Sequence, residues 1–463
     1  MNVNDLSKKR QLLLSENKIR AEKNKAYEDL YSASALLASV CGVKLEYETV
    51  LFFLAPFYFA YNSALQGGVN IKRLYGLATL RQLHSIATGL SYSLTNYQIQ
   101  VGGVSKSHQH HVVQSGYPNV YERLAYKICG VKFAPLLFEE TCLPDFSSAE
   151  SRKREVMEKV DESSEEGRFI GCLPLSVFYY LWERNPEDYR KKARAKNLLL
   201  DARISLDEDY CYFVALAKEE GVRIIGQPHG AYYCQTQNPT AFELTERMLS
   251  DLFMTPSWEA SSVKLPNFRV SKNLYLGLFK KLKSIKLGRQ KIVFVLPFLN
   301  DGIDYNQNFL CAESVASRID SACRTLKFEG KIHIKVHPAN QDKSSTVIRQ
   351  IGAILESYLS ITEIVRGSCR DLFVSFEKVV FLTPYSTGIL EAVNASCLVY
   401  VSCHKKDRLN PGYRNFLSRF NALQDQSSSP SLSLFRIDKS LVRSAYFASY
   451  LYPFKWAFFL KRA

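Results

Sequence analysis

Four short polar turns carry residue types that could do chemistry in this chain. In the first, His229 is followed by Gly230, so an imidazole lies beside a backbone that a ligand can approach closely. The other turns are Asn300-Asp301-Gly302, His337-Pro338 and Ser386-Thr387-Gly388. Carboxylates and imidazoles take protons from hydroxyl groups, and hydroxyls and free amides at a helix start bind phosphate.

Each turn also has a purely structural explanation. His229 would bond a backbone carbonyl, Asp301-Gly302 is a common turn dipeptide, and Ser386-Thr387 would be an ordinary N-cap. Taken singly, the three turns of the second half favour that explanation. Because all three follow predicted strands, and His229 follows another, they together indicate a polar cleft suited to a nucleotide monophosphate or diphosphate.

The residues before His229 indicate strand, helix and strand. Residues 197–203 begin as an apolar run, 210–220 have helical periodicity, and 221–226 form a second strand-like run. Such a βαβ unit has parallel strands that are buried on both faces. Open α/β sheets bind ligands beyond the carboxyl ends of their strands, so His229 is expected at a binding edge.

A second α/β pattern begins at Lys291 and places the other three turns at strand ends. It predicts strands at 291–297, 331–336, 361–365, 378–382 and 397–401, and helices at 313–326, 345–359 and 389–394. The predicted fold class is therefore α/β, with two Rossmann-like domains facing a cleft.

The N-terminal part differs from both patterns. A charged amphipathic helix is expected over about residues 6–37, and the aromatic residues 47–65 are expected to form a buried core helix, since Pro56 and nearby acids disfavour a membrane span. Residues 147–167 are expected to form a charged linker or surface helix. The basic stretch 264–288 is expected to cross between the domains.

Composition restricts the class of protein and its partners. The 463 residues are 46% hydrophobic and carry a formal net charge of +15, which indicates an anionic partner: nucleic acid, anionic lipid or a phosphorylated substrate. The charged N-terminus and the lack of an apolar run of membrane-spanning length predict neither signal peptide nor transmembrane helix. Eleven scattered cysteines are typical of reduced cytosolic thiols. His108, His110 and His111 favour a polar surface loop over a metal site, because no acidic or Cys ligand lies nearby.

The turn at His229 resembles a motif of glycosyltransferases from bacterial surface-carbohydrate gene clusters. That family has Gln-His-Gly-Gly-x-Tyr-Gly, and this chain has Gln227-Pro228-His229-Gly230-Ala231-Tyr232-Tyr233, with an inserted Pro and with Ala231 and Tyr233 at glycine positions. A second motif of the family, Thr-Tyr-x-x-Thr-x-x-Leu-Glu, is similar to residues 383–391, which end at Glu391. The resemblance implies a transferase.

A more distant resemblance concerns the donor. Bacterial sialyltransferases and capsule Kdo transferases combine an acidic pair followed by Gly, then His-Pro, then a Ser/Thr motif, and use CMP-activated sugars. Asp301, His337-Pro338 and Ser386-Thr387 occur here in that order, although Asn300 replaces the first acid. These enzymes have the GT-B fold and usually need no metal, so the resemblance implies neither a metal ion nor a cofactor.

The resemblances imply a role for each turn. His337 would bind a phosphate in a donor-binding turn that Pro338 stiffens, Ser386 and Thr387 would bind another oxygen, and Glu391 would bind the ribose or base, unless Glu391 is salt-bridged. The general base would be Asp301 with a CMP-linked donor and His229 otherwise. The expected domains are residues 1–150, the helical part of the acceptor domain; 151–288, its Rossmann-like part; 289–430, the nucleotide-sugar domain; and 431–463, a C-terminal helix.

Two other classes of function stay open. A nucleic-acid-binding protein fits the charge but lacks a recognition motif, so nucleic acid is not an expected partner. A non-catalytic envelope scaffold with a degenerate transferase fold fits the missing motif glycines.

The C-terminal residues 441–462 mix aromatics with cations, as do segments that lie on membranes. They are expected either to bind an anionic membrane on its cytoplasmic face, where removal of the residues after Tyr452 would weaken binding, or to pack back on the N-terminal domain.

Overall fold

A computed structural model shows two β-sheets with helices around them. The structure describes residues 19–40, 42–43, 45–88, 97–103, 110–115, 120–192, 195–226, 235–237, 240–255, 268–270, 290–296, 312–336, 351, 353, 355, 359–365, 369–386, 388–389, 392, 397–404, 407, 409–423, 432–446 and 452–462.

The first sheet contains seven strands. In chain order they are β1 (Tyr97–Gly103), β2 (His110–Ser115), β3 (Phe133–Cys142), β4 (Ala195–Leu199), β5 (Arg223–Gly226), β6 (Leu252–Thr255) and β7 (Phe268–Val270). Their order across the sheet is β1-β3-β2-β4-β5-β6-β7. All neighbours are parallel except β1 and β3. The parallel part is what the βαβ pattern predicts.

Ten described α-helices accompany this sheet in the sequence. They are α1 (Ile19–Ser39), α2 (Tyr47–Gln66), α3 (Leu80–Thr88), α4 (Val120–Cys129), α5 (Ser147–Met157), α6 (Glu165–Cys172), α7 (Leu175–Trp182), α8 (Pro186–Arg190), α9 (Glu208–Glu219) and α10 (Ala241–Leu249). Several begin at a polar cap: Ser164, Asn185 and Thr240 each accept a hydrogen bond from a backbone amide of the helix that follows.

The aromatic segment forms α2, which is buried along most of its length although Pro56 lies inside it. The ring of Phe53 lies 5.5 Å from that of Tyr212 in α9 and 5.9 Å from that of Tyr180 in α7, measured between centroids. Full burial of a side chain of this size stabilises the fold by about 1.5–3 kcal/mol. The expected buried core helix is therefore confirmed.

The second sheet also contains seven strands. They are β8 (Gln290–Val295), β9 (Gly330–Lys335), β10 (Leu359–Val365), β11 (Phe376–Phe381), β12 (Leu398–His404), β13 (Asn421–Leu423) and β14 (Leu432–Arg436). The order is β10-β9-β8-β11-β12-β14-β13, with the first five strands parallel and the last two antiparallel to their neighbours. The helices that the structure describes in this part of the chain are α11 (Ala312–Thr325), α12 (Cys369–Ser375), α13 (Pro411–Leu417), α14 (Lys439–Tyr446) and α15 (Tyr452–Arg462).

The central strands of the second sheet are buried on both faces. Alternate residues of β8 belong to two separate apolar clusters: Val293 and Val295 to one, and Ile292 and Phe294 to the other. This alternation is what a parallel sheet covered by helices requires. The predicted fold class, with two Rossmann-like domains, is confirmed.

Several expectations differ from the structure. The sequence did not indicate β1, β2 and β3, which join the first sheet from the part expected to be helical. The expectation of a surface loop at the histidines was wrong for His110 and His111, since both lie in β2 and His110 is buried. Most of the predicted helices at 345–359 and 389–394, like most of the basic stretch 264–288, lies outside the described residues.

The last helix, α15, packs against the first domain. Trp456, Ala457 and Leu460 share an apolar cluster with Ala125 and Tyr126 of α4. The side-chain amide of Asn197 in β4 donates a hydrogen bond to the carbonyl of Leu460, at 3.2 Å. The return of the C-terminus to the N-terminal domain is confirmed. Within the described ranges, no helix combines the length and the apolar character needed to cross a membrane.

Candidate functional site

Three neighbouring strands of the second sheet end side by side. Val295, the last residue of β8, pairs with Lys335 of β9 on one side and with Phe381 of β11 on the other. The pairing extends beyond the strands, because the amide of Leu296 donates to Lys335 O at 2.9 Å and that of Leu382 to Val295 O at 3.1 Å. The chain therefore leaves all three strands at one edge of the sheet, as predicted.

Most of the predicted site residues lie outside the described residues. Asp301, His337, Pro338, Thr387 and Glu391 come after β8, β9 and β11 in the chain, and His229 and Gly230 come after β5. Ser386 is described and half-buried. Its hydroxyl accepts a hydrogen bond from the amide of Gly388 at 3.3 Å, and its carbonyl accepts one from Ile389 at 3.1 Å. Ser386 thus begins a helical turn five residues after β11 ends.

Gly388 holds that turn against the end of β11. A Cβ atom at Gly388 would lie 2.7 Å from a ring carbon of Phe381 and 2.9 Å from Sγ of Cys369. Both distances are far below van der Waals contact, and the Phe381 ring is fully buried. Glycine is therefore the residue that lets the backbone of the turn approach the strand end so closely.

Lys335 is a buried cation at the same edge. It is 4% exposed, and its ammonium group donates a hydrogen bond to the carbonyl of Val336 at 3.0 Å. Among the described residues, no carboxylate pairs with it. Since Lys335 and Phe381 both pair with Val295, the two side chains lie on the same face of the sheet, where Phe381 contacts Gly388. Buried lysines are rare unless paired, so an anion that joins Lys335 would complete the arrangement.

A buried ion pair links the loops that follow β11 and β12. The guanidinium of Arg318 in α11 donates to Asp407 Oδ1 at 2.9 Å and to the carbonyl of Leu382 at 2.9 Å. Asp407 also accepts the amide of His404 at 2.7 Å. Both side chains are almost fully buried, so the pair fixes the two loops relative to α11.

Two buried tyrosines, Tyr385 and Tyr413, lie beside the segment that leads to Ser386. The Tyr413 hydroxyl donates to the carbonyl of Pro384 at 2.9 Å. Burial, with a smaller contribution from the Asp407 carboxylate, raises the pKa of Tyr385 well above its ordinary value, so this phenol stays protonated. The sequence reading missed Arg318 and Asp407. Arg318 was detectable, because it interrupts the apolar stripe of α11 formed by Val315, Ile319 and Ala322.

Segments beyond the strand ends of both sheets touch each other. Thr236, ten residues after β5 ends, forms an antiparallel bridge with Leu409, five residues after β12 ends. The amide of Asn410 donates to the carbonyl of Gln235 at 2.8 Å. The chain after β5 therefore contacts the second domain at Gln235 and Thr236.

The buried charged side chains that the structure describes in the first domain are acids. Asp207, Glu208 and Asp209 stand at the start of α9, where the helix dipole favours negative charge. Asp207 pairs with Arg81, and Glu208 accepts the amide of Leu80. In the described part of the chain, no group of three or more His, Cys, Asp or Glu residues is arranged to hold a metal ion.

No protein-family model and no curated protein sequence matches the chain. Three solved structures illustrate what its fold is similar to. UDP-GlcNAc 2-epimerase from Neisseria meningitidis is 10% identical, with 65% of this chain and 83% of that chain covered and a TM-score of 0.33. The lipopolysaccharide outer core galactosyltransferase WaaB is 9% identical, with 76% and 99% covered and a TM-score of 0.33. An α,α-trehalose-phosphate synthase (UDP-forming) from Burkholderia xenovorans is 11% identical, with 80% and 83% covered and a TM-score of 0.33. Similarities this low do not indicate a shared activity.

Proposed function

We propose that the protein is a glycosyltransferase of the GT-B type that moves a sugar from a nucleotide-sugar donor to an acceptor hydroxyl. The observation that carries the proposal is Lys335, a buried cation at the edge where β8, β9 and β11 end, with which no carboxylate of the described residues pairs. A nucleotide phosphate is the kind of anion that binds beyond the strand ends of a Rossmann-like domain.

The second domain would bind the donor. Lys335 and His337 would contact one phosphate, and Ser386, Thr387 and the amides of the helical turn at Gly388 would contact another oxygen. Pro338 would stiffen the turn of His337, and Glu391 would accept hydrogen bonds from the ribose or the base. Positive charge and helix amides would thus stabilise the leaving phosphate, without a metal ion.

The general base would be either His229 of the first domain, from across the cleft, or Asp301 of the second domain. The acceptor oxygen attacks the anomeric carbon, and a bond forms between them as the bond from that carbon to the nucleotide phosphate breaks. The bonding electron pair leaves with the phosphate oxygen, and the hydroxyl proton passes to His229 or Asp301. Asp301 is the preferred base for a CMP-linked donor, and His229 for other donors. Gly230 would let the donor approach the backbone of its turn closely.

The acceptor we propose is a growing cell-surface glycan or a lipid-linked saccharide, as in capsule or lipopolysaccharide assembly. The support is the sequence resemblance of residues 227–233 and 383–391 to enzymes of bacterial surface carbohydrates. Such an acceptor is made at the cytoplasmic face of the membrane, so the protein would be cytoplasmic and peripheral.

Nucleotide binding is the first test. The full chain is melted with CMP, UDP, GDP and their sugar conjugates, and one nucleotide family is expected to raise the Tm in a concentration-dependent way. Binding at about 100 times Kd stabilises the folded state by about 2.7 kcal/mol. A chain that no nucleotide stabilises, and that releases no nucleotide from any conjugate, would instead be the non-catalytic scaffold.

Substitution of Lys335 tests the site itself. Lys335→Met keeps the length of the side chain and removes its charge, so we expect nucleotide affinity to fall at least about tenfold while the Tm of the free protein stays equal or rises. Lys331→Met is the matched control, because Lys331 lies exposed at the other end of β9. Equal nucleotide affinity in both variants, measured by calorimetry, would remove Lys335 from the site.

A further inference from the structure

Three large apolar side chains stand exposed on two helices that pack together. Leu124 and Ile128 of α4 are 50% and 63% exposed, and Phe458 of α15 is 54% exposed. Leu124 and Ile128 are four residues apart, so they lie on the same side of α4. Below them, Ala125, Cys129, Trp456, Ala457 and Leu460 form the buried contact between the helices. The three exposed residues are therefore not part of the buried contact between the helices.

The two helices end close together. A Cβ atom at Gly130, just after α4, would lie 3.2 Å from Nζ of Lys461, the next-to-last residue of α15. The next aromatic residue of α15, Phe459, is half-buried, and the guanidinium of Arg223 lies 4.8 Å from the centre of its ring. The ends of the two helices therefore lie side by side, although they are more than 300 positions apart in the chain.

Exposed cations surround the apolar residues. Glu122, which is half-buried, is the only acid in the sequence of the two helices. The exposed cations on the helices and on the adjoining starts of β3 and β4 are Arg123, Lys127, Lys132, Lys196, Lys461 and Arg462. Three of them act together on His111 in β2: after burial, Lys196, Lys461 and Lys132 are the largest causes that lower its pKa. We call this surface, made of the three apolar residues and these six cations, the helix-pair face.

We propose that the helix-pair face binds an anionic lipid surface. Side chains such as Leu124, Ile128 and Phe458 enter the boundary between headgroups and acyl chains, while lysines and arginines around them contact anionic headgroups. This inference names the surface behind the proposed peripheral location, and it can be tested separately because lipid binding does not depend on any sugar transfer.

Other occupants fit the face less well. Nucleic acid would match the cations, but it binds through phosphates and base stacking and has no use for exposed aliphatic side chains. A second copy of the chain would set one cationic face against another, because a two-fold interface brings the same patch together twice. An anionic bilayer matches both the charge and the apolar residues.

The location of the face leaves the strand-end site free. Lys132 and Lys196 stand at the amino ends of β3 and β4, whereas nucleotide is proposed to bind at carboxyl ends of strands. Lipid binding and nucleotide binding are therefore expected to be independent. Deletion of α15 is a poor test, because it would also remove Trp456, Ala457 and Leu460 from an apolar cluster.

The test is sedimentation of the full chain with vesicles of phosphatidylglycerol and phosphatidylcholine, compared with vesicles of phosphatidylcholine alone. Binding is expected only to the anionic vesicles and should weaken as salt rises. The double variants Ile128→Glu with Phe458→Glu, and Lys461→Glu with Arg462→Glu, are each expected to weaken it at least about tenfold. All four residues are exposed, and unchanged melting curves would show that the variants fold.

Leu137→Glu is the matched control, since Leu137 is 52% exposed on β3 but is not part of the face. This variant should bind anionic vesicles as the parent does. The proposal is overturned if the parent does not bind them, or if the double variants bind as well as Leu137→Glu. Stronger binding to a generic oligonucleotide than to vesicles, with loss in the same variants, would assign the face to nucleic acid instead.

Discussion

The two domains bury charged side chains in different ways. In the first domain, Asp209 accepts hydrogen bonds from the amide of Val101 at 2.7 Å, from the hydroxyl of Tyr180 at 3.0 Å and from that of Tyr189, and Arg184 lies 3.5 Å away. Every donor comes from a different element, so this carboxylate ties a strand and two helices to α9. Its partners leave no need for a ligand.

In the second domain, Lys335 has a single carbonyl as its hydrogen-bond partner within the described structure, and the Arg318–Asp407 pair binds two loops at strand ends. The difference teaches that burial of a charge does not identify a functional residue. The balance between the charge and its partners does, because an unbalanced buried charge costs stability that a bound ligand can restore.

The largest effect is expected for Asp209→Ala. Removal of the carboxylate leaves Arg184 and several buried donors without their acceptor, which should lower the free energy of unfolding by about 3–5 kcal/mol. Urea unfolding followed by circular dichroism measures the loss, and Glu155→Ala, which breaks only exposed ion pairs, is the control. If the two variants unfold alike, Asp209 does not hold the first domain together.

The second-largest effect on the free energy of unfolding is expected for Glu208→Gln, and it depends on pH. Burial raises the pKa of the Glu208 carboxyl from 4.5 to about 7, so the folded state holds this proton more tightly than the unfolded state does. The free energy of unfolding therefore falls as pH rises from about 4.5 to about 7. Glu208→Gln removes this loss and keeps an oxygen that accepts the amide of Leu80. At pH 8 the variant should be more stable than the parent by about 3 kcal/mol.

The measurement is urea unfolding of both proteins at several pH values, and the difference between them isolates Glu208. His84 affects the free energy of unfolding in the opposite direction. Burial lowers its pKa to about 3, so the stability that neutral His84 contributes is lost as pH falls below about 6.5. A difference between the two proteins that does not change from pH 5 to pH 8 would contradict the raised pKa.

Asp407→Asn should have the smallest effect on stability of the three and a further effect on binding. The amide can still accept from Arg318 and His404, but the charge is lost, so we expect a decrease of about 2 kcal/mol in the free energy of unfolding. Because the pair holds the loop before Ser386, nucleotide affinity should fall as well, whereas Asp209→Ala should leave it unchanged in the folded protein.

Asp320→Asn is the control for this variant, since Asp320 forms an exposed ion pair with Arg324 on the same helix. Calorimetry with the nucleotide that stabilises the parent decides the outcome. Two results would contradict the proposed difference between the domains. One is equal nucleotide affinity of Asp407→Asn and Asp320→Asn, and the other is a loss of nucleotide affinity in Asp209→Ala.

The elements of the second domain were the most predictable from the sequence. The runs that became β8, β9, β11 and β12 are short, apolar and rich in Val and Ile, and α11 has an apolar stripe. These are local patterns that a buried strand or an amphipathic helix must have wherever it lies. The same reasoning failed for β3, where Pro135 and the acids Glu139 and Glu140 conceal a strand that lies between β2 and the antiparallel edge strand β1.

The sequence by itself thus determined the strands β4, β5 and β8 to β12, the helices α9 and α11, that polar turns follow several of these strands, and that α2 is buried. Only the tertiary structure decided that β8 lies between β9 and β11, that Arg318 meets Asp407, 89 residues away, and that α15 packs on α4. The periodicity of a segment shows which of its residues face the core and which face solvent. It does not show which distant segment packs on the buried side, because any apolar surface of matching shape could do so.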